Sequence, residues 1–242
     1  MSQARNQLHA LSQQESPSPV LLVGTNGSGK HSIAEEVARE WSDNSALDFS
    51  DLQLVMSKEP TDGKMSIKEL RDTLSLAPGS RQVVMIGLDG ASIEVQNALL
   101  KRFEEPTSNT WLMAMVQDPK WVLPTMRSRC QTVRFQPLST DQLGEWAQQQ
   151  GIDVTPQQID LAQGSSERLV WISQNTESLQ ALRKKDIGML LQKLKEADNP
   201  GYWMIQAAEL MPQLGWANSA QTQDLILRGA KPETVLAVAA LA

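Results

Sequence analysis

Short apolar runs punctuate the first 138 positions, and each ends at a glycine, a proline or a polar turn. Val20-Leu21-Leu22-Val23 stops at Gly24, Val83-Val84-Met85-Ile86 is closed by Gly87, and Thr110 to Val116 forms a longer run. Asp51 to Val55 and Val133-Arg134-Phe135, the latter ended by Pro137, are weaker versions of the same signal. Brief apolar runs without alternation are typical of strands buried on both faces of a parallel sheet. Between them the period changes to that of helices. Residues 2–14, with Leu8 and Leu11, predict a short helix that Ser16-Pro17-Ser18-Pro19 breaks. Lys30 to Trp41 gathers Ile33, Val37 and Trp41 on one face, and Ile67 to Leu76 gathers Ile67, Leu70 and Leu74 ahead of Pro78-Gly79. Glu94 to Phe103 is a further helix, stopped by Pro106. Strand and helix alternate through residue 138, so the expected fold class is α/β, a doubly wound parallel sheet.

From Ser139 onward the strand signal disappears. Thr140-Asp141 caps a helix through Gln150, Pro156 opens a second, and Ser165 or Ser166 a third. The remainder, from Lys184 to Ala242, keeps a helical pattern interrupted at Asn199-Pro200-Gly201 and at Pro212. The expected organisation is an α/β domain over 1–138, a small helical lid over 139–182 and a short helical C-terminal region over 183–242. No internal repeat is visible.

Composition narrows the function classes. The chain has 242 residues, 40% of them hydrophobic, enough for a packed core. A formal net charge of −6 argues against a nucleic-acid binder that works through a broadly basic surface. A single cysteine, Cys130, rules out an internal disulfide framework and a multi-cysteine zinc site. The segment Met1 to Ser18 is polar and lacks the apolar stretch of a signal peptide, and no apolar run is long enough for a membrane span. The expectation is a soluble, cytoplasmic protein with no membrane partner. Seven tryptophans, Trp41, Trp111, Trp171 and Trp203 among them, do not interleave with a Lys/Arg stripe, so they read as core. Arg183-Lys184-Lys185 reads as a solvated helix face, and His9 has no evident role.

Two stretches carry candidate chemistry. Gly24-Thr25-Asn26-Gly27-Ser28-Gly29-Lys30 satisfies G-x-x-x-x-G-K between a predicted strand and a predicted helix. Glycines let backbone N–H groups turn inward around phosphate oxygens, Lys30 adds a positive charge, and the helix N-terminus adds its dipole. The next position normally supplies a Ser or Thr hydroxyl to Mg²⁺; here it is His31, and Ser32 points elsewhere on the helix. A tight strand-to-helix turn without a ligand is the plainer alternative. The third strand runs into Ile86-Gly87, where an ATPase of this kind ends in two carboxylates, one for the metal and one for the attacking water. Asp89 lies past the strand end and reads better as a turn residue in Leu88-Asp89-Gly90. Hydrolysis needs both a metal and a positioned water, so intrinsic ATPase activity is not expected. ATP or ADP is expected to bind weakly at most, and Mg²⁺ not in the ordinary way.

Further along, Gln96 to Pro106 (QNALLKRFEEP) resembles the "QNALLKTLEEP" helix of bacterial clamp-loader subunits. Asp118-Pro119-Lys120, followed by Leu123-Pro124-Thr125-Met126-Arg127-Ser128-Arg129-Cys130, resembles their "LLPTIRSRC" segment, and Val133 to Leu138 resembles the "VRFRPL" that comes next. Asp51 to Val55 and Ile67 to Arg71 are similar to the delta prime branch of that family in particular. The resemblance covers roughly residues 20–175. It implies an AAA+ architecture: a RecA-like P-loop domain, a three-helix lid and a helical collar that joins five subunits. It also implies a place in the DNA polymerase III holoenzyme, with a gamma/tau-type ATPase and a delta-type clamp opener as partners, and the sliding clamp and primed DNA reached through them. In that family the arginine of Ser-Arg-Cys acts in trans on ATP held by a neighbour, and Arg129 matches it. A guanidinium suits the task because it stabilises charge on a transferring phosphoryl group without giving up a proton. Read without the resemblance, Arg129 is a local ion-pairing residue.

The chain departs from the pattern in three ways. Cysteines near the phosphate loop are absent, so no zinc is expected. The lid position that often bears a nucleotide-sensing arginine falls near Gly164-Ser165-Ser166-Glu167, where Glu167 replaces it; Arg168 is adjacent but would face differently on the helix. The region after the lid is shorter than a usual collar. Glu104-Glu105, at the end of a helix, read as interface or solvent residues and not as a catalytic pair, and Cys130 as a small packed residue. The alternatives to a non-hydrolysing, arginine-donating clamp-loader subunit are an active AAA+ ATPase with an unusual metal site using His31 or Asp89, and an unrelated P-loop nucleotide-binding protein.

Overall fold

The computed structural model describes residues 2–14, 18–41, 52–55, 82–106, 110–216, 221–222, 225 and 230–240. It divides into two compact units, the first running to Pro137 and the second from Leu138 to Ala242. The expected helix over Ile67 to Leu76 lies outside the described residues.

In the first unit the order is α1 (Ser2–Ser12), β1 (Val20–Val23), α2 (Lys30–Trp41), β2 (Leu52–Val55), β3 (Gln82–Gly87), α3 (Ile93–Glu104), β4 (Thr110–Val116), a 3₁₀ turn (Pro119–Trp121), α4 (Pro124–Arg127) and β5 (Gln131–Arg134). The five strands form one parallel sheet in the order β2-β3-β4-β1-β5. Alternation along each strand divides the core in two. Val20, Leu22, Val83, Met85, Trp111 and Met113 pack on the face covered by α1 and α2. Leu21, Val23, Val84, Ile86, Leu112 and Ala114 pack on the other face, against Leu99 and Phe103 of α3 and Met126 of α4. Both faces are buried along β1, β3 and β4, which is why these strands read as unbroken apolar runs.

Among the boundaries that differ from the sequence expectation, two are instructive. Strand β5 starts two residues early: Gln131 N donates to Pro19 O at 2.8 Å, and Gln131 and Thr132 are exposed on this edge strand, so no apolar signal marks the start. Phe135 leaves the ladder after one more bond, to Val23 O at 2.7 Å. Helix α1 stops at Ser12, not residue 14. It is held to α2 by buried Leu8, by Arg5 pairing with Glu36, and by His9 Nε2 at 3.4 Å from Glu40. His9 thus has a partner that its sequence surroundings did not suggest.

The second unit is helical: α5 (Thr140–Gln149), α6 (Pro156–Ala162), α7 (Ser166–Gln174), α8 (Thr176–Lys184), α9 (Ile187–Glu196), α10 (Pro200–Leu210) and α11 (Pro232–Ala240). Ser139 with Gln142, and Thr155 with Gln158, form capping boxes, and Ser165 caps α7. Asn199 and Pro200 begin a helix, Asn199 accepting from Tyr202 N at 3.0 Å and Pro200 occupying the first position, where its missing N–H costs nothing. One hydrophobic cluster runs from Leu138 to Ala239, and the 182/183 position lies inside α8. Trp41 meets Trp111 at 5.7 Å between ring centroids, and Trp171 meets Trp203 at 5.7 Å, each pair inside a core. No helix among the described residues is long and apolar enough to cross a membrane.

Candidate functional site

The phosphate-loop sequence forms the link between β1 and α2. Gly24 N donates to Val116 O at 3.1 Å, so sheet pairing extends into the start of the loop. A Cβ on Gly24 would lie 2.8 Å from both Cβ and O of Phe135, closer than real contacts allow, so only glycine fits. Gly27 and Gly29 have φ of 72° and 82°, the left-handed region where glycine is favoured. Ser28 N closes a turn on Thr25 O at 3.2 Å. Lys30 is buried and its Nζ donates to Thr25 O at 3.1 Å, folding the ammonium back over the loop. Ser28 Oγ is fully buried and meets no hydrogen-bond partner among the described residues. Thr25 is exposed and Asn26 half-buried on the outer side.

Behind the lysine the chemistry changes. His31 Nδ1 lies 3.9 Å from Glu35 Oε2, so a ring and a carboxylate stand where a hydroxyl normally serves the metal. Mg²⁺ prefers oxygen ligands in a tight octahedron, and an imidazole is a poor substitute. At the end of β3, Ile86 points into the core and Gly87 has no side chain. Asp89 Oδ1 accepts from Gln117 N at 2.9 Å, tying the turn after β3 to the end of β4, and Ala91 N closes that turn on Leu88 O at 3.1 Å. Asp89 therefore has the turn role that its sequence context indicates. Among the described residues, no group of three or more His, Cys, Asp or Glu side chains could hold a metal.

The Ser-Arg-Cys segment is a hydrogen-bonded turn between α4 and β5. Ser128 N, Arg129 N and Cys130 N donate to Pro124, Met126 and Arg127 carbonyls at 3.0, 3.1 and 3.2 Å. Met126 anchors the turn in the core. Burial pushes the Cys130 thiol up to about 12, which makes it unreactive. Arg129 is exposed; its Nη1 donates to Thr125 O at 2.6 Å and its Nη2 meets Glu104 Oε1 at 2.6 Å.

Reading the sequence residue by residue missed Gln96, which is buried yet fully engaged. Its amide nitrogen donates to Ala91 O at 3.1 Å and Trp121 O at 2.9 Å, and its oxygen accepts from Leu123 N at 2.8 Å. One side chain thus ties α3 to the loops after β3 and β4, directly ahead of the arginine turn. The available signal was a glutamine at a core position of a helix, in register with Leu99 and Phe103. Just ahead of that turn, Asp118 caps the 3₁₀ turn, and hydrogen bonds from the Lys120 ammonium and backbone N–H hold its carboxyl below the ordinary range.

The structure does not bring Arg129 to the phosphate loop. Strands β1 and β5 are parallel, with Val20 opposite Gln131 and Val23 opposite Arg134. The loop follows Val23, whereas Arg129 precedes Gln131. The two sites therefore occupy opposite ends of the sheet, separated by a strand of roughly 13 Å. In the helical unit, Arg168 is buried, donates to Ala162 O at 3.3 Å and pairs with Glu209 of α10, so its head group is engaged within that unit.

A parallel α/β sheet with a glycine-lysine loop after its first strand defines a P-loop domain of the RecA-like type. The family model described as DNA polymerase III, delta subunit, matches residues 2–139, more than half of the chain, and the chain belongs to that family. The chain is 27% identical over 162 residues to DNA polymerase III subunit delta′ of Bacillus subtilis (strain 168), covering 64% of this chain and 48% of that one. It is 28% identical over 132 residues to the delta′ subunit of Pseudomonas aeruginosa, covering 46% of this chain and 40% of that one. The matched stretches thus span about half or less of these relatives' length. A DNA polymerase III gamma subunit-related protein from Thermotoga maritima shares the fold, with a TM-score of 0.60 over 98% of both chains at 13% identity.

Proposed function

We propose that this chain is a non-hydrolysing subunit of a sliding-clamp loader that lends Arg129 to ATP bound by a neighbouring gamma/tau-type ATPase. The observation that carries the reading is the separation of the two motifs: Arg129 lies at the end of the sheet away from Lys30 and cannot serve phosphates in its own loop. Its exposure and its rigid turn suit action on a second chain. The partners are that ATPase and a delta-type clamp opener, with the sliding clamp and primed DNA reached through the assembly. The protein acts in the cytoplasm, where replication takes place.

The chain's own loop fits a phosphate and does not fit a magnesium-nucleotide. Loop backbone N–H groups beyond Gly24, whose own N–H is held by Val116 O, would face phosphate oxygens, with Lys30 exchanging the Thr25 carbonyl for the anion. His31 supplies no hydroxyl, and no carboxylate stands at Ile86-Gly87, so neither a metal nor an attacking water is positioned. ATP or ADP would add only an anion for the loop to close on. Zinc is not part of this reading, since the chain carries a single cysteine, Cys130. The unusual-metal alternative would need an imidazole to serve Mg²⁺ in place of an oxygen ligand, or Asp89 to leave the turn it makes with Gln117 N.

The test is reconstitution. The chain, mixed with the ATPase and clamp-opening subunits of its own organism, should co-elute with them on size exclusion. In that complex Arg129→Ala should assemble normally and lower clamp- and DNA-stimulated ATP hydrolysis severalfold. A lone arginine finger is worth on the order of 10³ or more in rate, and the fall is smaller where other ATPase sites retain their own arginines. Normal assembly with an unchanged rate would return Arg129 to a structural role.

A further inference from the structure

We infer that Glu104 is a positioning residue for Arg129: it fixes the guanidinium in the orientation offered to the phosphoryl group of a neighbouring subunit. The inference rests on the trans-acting reading of Arg129.

Glu104 is the last residue of α3, at the negative end of the helix dipole, where a carboxylate is electrostatically misplaced. Lys101 and Arg102 in the same turn follow the usual preference for cations there. The misplaced acid has a partner across a gap in the chain: its Oε1 lies 2.6 Å from Arg129 Nη2. On the other side of the guanidinium, Nη1 donates to Thr125 O at 2.6 Å and lies 3.5 Å from Ser128 Oγ. Contacts on two different nitrogens from two separate elements fix the plane of the group, which a single contact would leave free to rotate. Arginine has five N–H donors, so Nε and the second Nη2 hydrogen remain for a phosphate oxygen.

Folding stability is a weak reason for such a pair. The two side chains are 36% and 44% exposed, and exposed ion pairs contribute little. The geometric benefit does not depend on burial, because a pre-set guanidinium loses less freedom on meeting its target. Both ends of the pair stand on rigid supports: Glu104 one residue beyond core residue Phe103, and Arg129 on the turn anchored by Met126.

The experiment uses the complex of this chain with its ATPase and clamp-opening subunits, and reads kcat and KM for ATP with clamp and primed DNA present. Glu104→Ala should lower kcat, by less than Arg129→Ala does, and leave KM for ATP within about twofold, since the substrate is bound by another chain. Glu104→Gln keeps an acceptor oxygen and should recover part of the loss. The double variant Glu104→Ala/Arg129→Ala should be no slower than Arg129→Ala alone, because Glu104 acts only through the arginine. If Arg129→Ala is slow and Glu104→Ala matches the parent, or the two losses multiply in the double variant, the positioning role is wrong while the trans-acting reading stands. A faster Glu104→Ala complex would make Glu104 a restraint and would equally overturn the inference. If Arg129→Ala itself has no effect, the reading beneath it fails and the inference falls with it.

Discussion

The two ends of the sheet carry the same kind of equipment in opposite states. At the end after β1, the left-handed glycines, the buried Ser28 and Lys30 form the turn of a G-x-x-x-x-G-K motif, while His31, Ile86 and Gly87 stand at the positions where an ATPase of this kind carries a hydroxyl and two carboxylates. At the end before β5, Arg129, the residue proposed to act on a neighbour, is exposed and held by contacts on both sides. The first end keeps its shape because Gly24 is packed against Phe135 and Asp89 ties β3 to β4, so the loop region is part of the fold whatever it binds. At the second end, shape and chemistry coincide.

The sharpest contrast should appear in the reactivity of Cys130, which reports whether the arginine turn opens. A thiol near 12 has roughly a thousandfold less thiolate at neutral pH than one near the ordinary 9. Labelling by a maleimide at pH 7 should therefore be slower by about that factor in the native chain than in denaturant. As pH rises toward 12 the native rate should climb, because the raised group begins to ionise. Fast native labelling would mean that the turn holding Arg129 is loose, and the contrast between the two ends would fail.

Gln96 carries the next largest effect. Gln96→Ala removes three hydrogen bonds and leaves the half-buried Trp121 O and Leu123 N without their side-chain partner. A loss of about 3 kcal/mol is expected, read in thermal unfolding as a Tm lower by roughly 6 to 12 °C. At the loop end, Gly24→Ala should cost about 2 kcal/mol from overpacking, since the added Cβ meets the Phe135 backbone and not a flexible side-chain end. A Gly24→Ala chain as stable as the parent would show that the loop is slack.

Much of this was readable in the residues. The strands at Val20–Val23 and Thr110–Val116 and the helix Lys30–Trp41 follow directly from apolar runs and the 3.6 period, because both faces of the sheet are buried. The start of β5 was not, because an edge strand with exposed Gln131 and Thr132 leaves no apolar trace. The missing hydroxyl after Lys30 and the missing carboxylates after Ile86 were visible as letters at fixed offsets from a motif. The partners of Arg129, Arg168 and Gln96 were not: Glu104, Glu209 and Trp121 lie 25 to 41 residues away, and only the fold brings them together.

The smallest effect belongs to Lys30, and it decides whether the loop end is silent. Lys30→Ala loses the bond to Thr25 O but also removes an ammonium from a buried position, and these two terms oppose each other. The change in stability should stay within about 1 kcal/mol. On the proposed reading, any nucleotide binding by the parent chain in calorimetry should be weak and little altered by EDTA, because the loop would hold phosphate through its backbone while His31 stands where a hydroxyl normally serves the metal. In the reconstituted complex, Lys30→Ala should leave stimulated ATP hydrolysis within about twofold of the parent, since the proposed function assigns hydrolysis to loops in other chains. A loss matching that of Arg129→Ala, or tight binding that disappears on chelation, would show that the loop end still works as a magnesium-nucleotide site despite His31.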